Sequence, residues 1–153
     1  QGASRYTNCL AKMVNKLTHK PLAFGANCGT GASDLMRTIL GFSALGPQQP
    51  IIAKGNAGIP KYHDGHIHYD GTPALMADYA VLARDAGATI IGGCCGTTPE
   101  HLVAMRKALE TRPAGPRPTL DQITAQLGAF SSASDGTDGA GPVRAPRRGR
   151  RKA

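Results

Sequence analysis

Tryptophan is absent from this 153-residue chain, and phenylalanine occurs only three times. A core without large aromatics must be filled by small aliphatic side chains, which suits helices layered on a sheet. No stretch approaches the ~18 apolar residues of a membrane-spanning helix, so no membrane partner is expected. Residues 1–20 hold Lys12, Lys16 and Lys20 among polar neighbours and do not resemble a secretory leader. With no such leader, the four cysteines are expected in a reducing, cytoplasmic setting. Thiolates there serve metals better than disulfides. Acid is scarce, at 10 Asp and Glu against 18 Lys and Arg, for a net charge of +8. Arg144, Arg147, Arg148, Arg150, Arg151 and Lys152 carry six of those charges with no acid among them. The basic character is therefore a property of the tail, not a surface-wide nucleic-acid footprint. Such a tail either solubilises the chain or binds nucleic acid or anionic lipid nonspecifically.

Strand-like and helix-like segments alternate from residue 21 to residue 112. Three units are expected: strand 21–28 with a helix near 31–43, strand 50–55 with a helix near 72–86, and strand 88–93 with a helix near 98–111. The strands are short and apolar, as buried parallel strands are. The helices carry stripes at Leu35, Met36, Ile39 and Leu40, at Leu75, Met76, Tyr79 and Leu82, and at Leu102, Met105 and Leu109. Stripes of this spacing pack on a sheet. Gly41 and Gly87 are expected as helix stops. Leu10, Met13, Val14 and Leu17 are spaced for one face of an N-terminal helix within residues 1–20. Past Arg112, Pro, Gly, Ser and Ala dominate, apart from an amphipathic piece at 119–130 expected to dock as a last helix. Residues 131–153 are expected to be disordered.

The chemistry concentrates at Cys94-Cys95, within Gly92-Gly93-Cys94-Cys95-Gly96-Thr97-Thr98-Pro99-Glu100-His101. Thr98 suits a helix N-cap and Pro99 the first helical position, so both cysteines fall in a strand-to-helix turn. A helix N-terminus there favours thiolate. Cys28 stands in a matching context, after a strand and before Gly29. In a parallel sheet both sites lie at the carboxyl ends of strands, where ligand sites belong. Three thiolates so placed can hold one zinc ion and leave its fourth tetrahedral position open, as catalytic zinc sites do. Buried structural cysteines or a vicinal disulfide are the alternatives. Cys9, alone near the terminus, is not expected to join the cluster.

Asn27-Cys28, Gly55-Asn56-Ala57-Gly58-Ile59-Pro60 and Gly92 to His101 together resemble the homocysteine S-methyltransferase family. That family includes betaine–homocysteine methyltransferases and the homocysteine module of cobalamin-dependent methionine synthase. The resemblance implies a (β/α)8 barrel, with zinc on Cys28, Cys94 and Cys95 activating the homocysteine thiol for methylation. It implies homocysteine and a methyl donor as partners, the donor being a sulfonium, a quaternary ammonium or a corrinoid protein. It covers about residues 21–112, the last three β/α units of that barrel. A barrel of this kind needs roughly 250 residues. The chain thus reads as a C-terminal part, with an N-terminal half-barrel as a further partner. An inactive zinc-binding fragment is the alternative reading, and a nucleic-acid-binding protein acting through the tail is a weaker one.

The segment between Gly55 and Gly71 is long for a strand-to-helix connection, which suggests function. Asn56, at the active-site face in the family, is the candidate for orienting the substrate or the surroundings of a zinc-bound sulfur. A turn held by the Asn side chain is the structural alternative. His63, His66 and His68 are candidate metal ligands by residue type alone.

Overall fold

The computed structural model describes residues 5–29 and 31–132, with side chains from Leu10 onward. Ten elements follow one another: α1 (Arg5–Lys16), β1 (Phe24–Asn27), α2 (Ala32–Ala44), β2 (Ile51–Gly55), β3 (Lys61–His63), β4 (His66–His68), α3 (Pro73–Asp85), β5 (Ile90–Gly93), α4 (Pro99–Thr111) and α5 (Leu120–Leu127). The three expected strand–helix units are present, each within a few residues of its expected bounds. The tail residues 133–153, including the arginine cluster, lie outside the described residues.

β1, β2 and β5 form a parallel sheet with β2 in the middle. Phe24 pairs with Ile51, and Ile52 with Ile90. The sheet is open at both edges among the described residues and does not close into a barrel. Helices cover one face. Along β2, Ile51, Ala53 and Gly55 are buried, while Ile52 is half-buried and Lys54 exposed. That alternation marks a sheet with one covered face. β5 departs from the expected buried strand for this reason: Ile90 is 47% exposed.

Two caps account for where the helices begin. Thr72 Oγ1 accepts a hydrogen bond from the Leu75 amide at 3.2 Å, and Pro73 follows at the first position. Thr119 and Gln122 cap α5 reciprocally, at 3.2 and 2.9 Å. α2 runs past the expected stop at Gly41, which is buried within the helix. The extra turn places Phe42 edge-on to Phe24, ring centroids 5.4 Å apart, and the chain leaves the helix at Gly46, where φ is +58°. Gly87 does follow a helix end, with φ +103°.

The core holds Met36, Ile39, Ala53, Met76, Tyr79, Ala80 and Ile123. Three residues of the expected stripes lie outside it: Met13, Leu17 and Leu102 are exposed. α1 meets α2, with Ala11 and Val14 in the core and Leu10 packed against it, and Leu17 lies beyond its end. α4 meets α3 and β5 through Met105, Ala108 and Leu109, a face that excludes Leu102. α5 seats Ile123 and Leu127 on α2 and α3. Ser33 Oγ donates to the carbonyls of Leu127 and Gly128 at 3.1 and 2.8 Å. Beyond it, the Arg37 guanidinium lies 4.1 Å from the centre of the Phe130 ring.

Tyr79 ties this core to the end of the central strand. Its buried hydroxyl accepts the Gly55 amide at 3.0 Å, and burial pushes its ionisation well above the ordinary tyrosine range. Tyr79→Phe keeps the ring and strands the amide. The expected cost is about 1–2 kcal/mol, a fall in Tm of roughly 3–8 °C in thermal unfolding. An unchanged Tm would mean that the amide finds another partner.

Candidate metal centre

The strand order brings three loops together at the carboxyl edge of the sheet. Cys28 follows β1, Asn56 follows β2, and Cys94 and Cys95 follow β5. Cys28 adopts a left-handed backbone, φ +62°, which is costly for a residue with a side chain. Its amide is held by the Lys54 carbonyl at 2.9 Å. The Cys94 amide donates to the Gly55 carbonyl at 2.8 Å, and the Ala57 amide to the Cys95 carbonyl at 3.0 Å. Each cysteine loop is thereby stitched to the central strand.

Asn56 sits between them, only 1% exposed. Its Nδ2 donates to the Gly29 carbonyl at 3.0 Å, and its Oδ1 accepts the Cys95 amide at 3.2 Å. One side-chain amide thus joins the loop of Cys28 to the loop of Cys95.

The three sulfurs lie within 4.8 Å of one another. Cys28 and Cys95 sulfurs are 3.6 Å apart, and Cys94 and Cys95 sulfurs 3.9 Å. Tetrahedral zinc with Zn–S bonds near 2.3 Å sets its sulfurs about 3.8 Å apart. The donor set therefore fits zinc in both chemistry and spacing. All three cysteines are free thiols, so the vicinal disulfide does not form. The side chain of Cys9 lies outside the described residues.

The thiols differ in acidity. At Cys94 desolvation acts to raise the pKa, but hydrogen bonds from Asn27, Cys95 and Cys28 outweigh it, and the thiol is lowered. Asn27 Nδ2 lies 3.8 Å from this sulfur. Cys95 moves the other way: hydrogen bonds with Cys28 and Cys94 raise it, against a smaller lowering by Tyr69.

Helix α4 is anchored from beneath by His101, which is 8% exposed. The Thr98 amide donates to His101 Nδ1 at 3.1 Å, so the proton resides on Nε2, which donates to the Gly71 carbonyl at 2.8 Å. Gly71 in turn donates its amide to the Ala57 carbonyl at 2.9 Å. The turn bearing the cysteines is thus bound to both ends of the 55–71 connection.

That connection contains a hairpin, β3–β4, unforeseen from sequence although Asp64-Gly65 is a two-residue hairpin turn signal. Both turn residues have positive φ, +49° and +80°. His63, His66 and His68 are all exposed on it. Among the described residues only Cys28, Cys94 and Cys95 form a three-donor cluster, so the histidines do not converge. Tyr69, just beyond the hairpin, does reach the site. Its ring lies against Gly96, where an added Cβ would come within 2.3 Å of Tyr69 Cγ. Nothing in residue type or spacing pointed to it.

A parallel sheet with three thiols converging at its carboxyl edge defines an α/β protein with a cysteine cluster spaced for a metal ion. A family model described as Homocysteine S-methyltransferase matches residues 4–109, and the chain belongs to that family. The match takes in α1 as well as the motifs from Asn27 onward. No helix among the described residues is long and apolar enough to cross a membrane.

Proposed function

We propose that Cys28, Cys94 and Cys95 bind one zinc ion and that the chain, as part of a full barrel, transfers a methyl group to the thiol of homocysteine, giving methionine. The sulfur triangle, with spacings of 3.6 and 3.9 Å at the mouth of a parallel sheet, is the observation that carries this reading. Zinc bound there would keep a homocysteine thiol ionised at neutral pH and leave it nucleophilic. Asn56 holds the cysteine loops in register, taking the role of a group behind the metal ligands. The methyl carbon passes to the homocysteine sulfur, and its donor, a sulfonium, a quaternary ammonium or a methyl corrinoid, departs with the bonding electron pair. The three β/α units supply the carboxyl-terminal part of a (β/α)8 barrel, and strands at both open edges complete the wall.

Zinc titration and X-ray absorption of the full chain test the metal. About one zinc per chain is expected, in a shell dominated by sulfur near 2.3 Å, with one more sulfur on adding homocysteine. Uptake should weaken as pH falls, because protons compete for the same thiolates. A shell dominated by nitrogen would move the site to His63, His66 and His68 and overturn the assignment.

A further inference from the structure

One face of the sheet packs on helices, and the other carries a polar row at its carboxyl edge. Asn27, Lys54 and Gly92 stand in register across β1, β2 and β5. Registered neighbours in a parallel sheet share a face, and side chains alternate along each strand. Ala53 faces the helices, so this row lies on the opposite face. Ile52 and Ile90, one row below, give that face an apolar floor. Asn27 Nδ2 reaches the Cys94 sulfur at 3.8 Å, so the row borders the thiol cluster.

Lys54 supplies the charge of this row. Its backbone is fixed against the thiols: the Lys54 carbonyl accepts the Cys28 amide at 2.9 Å, and the next carbonyl, of Gly55, accepts the Cys94 amide at 2.8 Å. Its stem crosses Gly92, where an added Cβ would lie 3.8 Å from Lys54 Cγ and 3.9 Å from Cε. The side chain is exposed. Ion pairs among the described residues engage Arg37, Lys61, His63, Arg84, Arg106 and Arg112 and leave Lys54 out. A cation so placed, beside metal-binding thiols and above an apolar floor, suits an anionic group on a ligand whose sulfur sits on the metal. Homocysteine is such a ligand, with a short alkyl chain between its thiol and its carboxylate.

We infer that Lys54 binds the carboxylate of homocysteine while zinc on Cys28, Cys94 and Cys95 holds the substrate sulfur. The inference rests on the zinc reading above and concerns what recognises the far end of the substrate. Zinc-loaded full chain is titrated calorimetrically with homocysteine and with 3-aminopropane-1-thiol, which keeps the thiol and amine and lacks the carboxylate. Lys54→Met keeps the stem over Gly92 and removes the charge. It should weaken homocysteine by about tenfold, since a hydrogen bond to a charged group is lost. It should change the aminothiol by less than about twofold. Equal weakening of both thiols would put the ammonium on the metal-binding thiolates and overturn the inference, as would an unchanged affinity for homocysteine. Should Lys54→Met fail to fold, the wild-type chain decides through acetylation by N-hydroxysuccinimidyl acetate, read by peptide mass spectrometry. Homocysteine at about ten times its dissociation constant should slow labelling of Lys54 by about fivefold to tenfold relative to Lys107, exposed on α4. The aminothiol at the same occupancy should leave that ratio unchanged. Equal protection by the two thiols, or none, overturns the inference. Failure of the reading beneath it looks different: the wild-type chain then binds no zinc, or binds neither thiol, and both proposals fall.

Discussion

Cys95→Ala should abolish stoichiometric zinc binding, with affinity reduced at least about 100-fold, and should remove any methyl transfer. Two sulfurs remain in the variant, and two ligands leave the ion under-coordinated. Alanine is small, and Cys95 is exposed, so the fold should survive and the loss be read as a loss of ligation. His66→Ala is the companion variant. His66 is exposed on β4 and belongs to no three-donor cluster among the described residues. Its zinc affinity should stay within about twofold of the parent chain, since surface changes away from ligands are near neutral. Zinc content after dialysis against a chelator separates the two. Equal losses would place His66 at the metal.

Asn56→Ala should be the most damaging change outside the cysteines. Two hydrogen bonds vanish together, at 3.0 and 3.2 Å, and a buried amide leaves a void. Stability should fall by about 2–3 kcal/mol. Zinc affinity should fall by 10–100-fold, roughly the usual effect of losing a group that orients metal ligands. Asn56→Asp should be no better. It keeps the acceptor for the Cys95 amide but loses the donor to Gly29 and places a carboxylate, 1% exposed in the parent geometry, beside three thiols. Competition with a chromophoric chelator gives the affinity, and a denaturant melt gives the stability. A variant that melts early yet binds zinc normally would confine Asn56 to the fold.

Much of the site was legible because its signals are local. Thr98 and Pro99 announce the start of α4, and the apolar residues before Cys94 and Cys28 announce strands, so the cysteines had to fall at strand ends. Thr72-Pro73 marks α3 in the same way. The hairpin was equally local, in Asp64-Gly65, but its strands are three residues each and fully exposed. They lack the apolar alternation by which strands are recognised. Gly41 misled because a glycine inside a helix reads as a stop, while Phe42 gains more by reaching Phe24 than the helix loses by continuing.

Sequence alone determined the alternation of strands and helices, the three thiols at strand ends and the family they resemble, because caps, turns and motifs act over a few residues. Only the tertiary structure decided that β2 lies between β1 and β5. That order, set by packing between segments far apart in the chain, puts Asn56 between the two cysteine loops, where its one amide can bridge both. It also brought Tyr69 onto Gly96, a contact across 27 residues. No periodicity encodes such a contact, since it depends on where a connection folds back over the sheet edge.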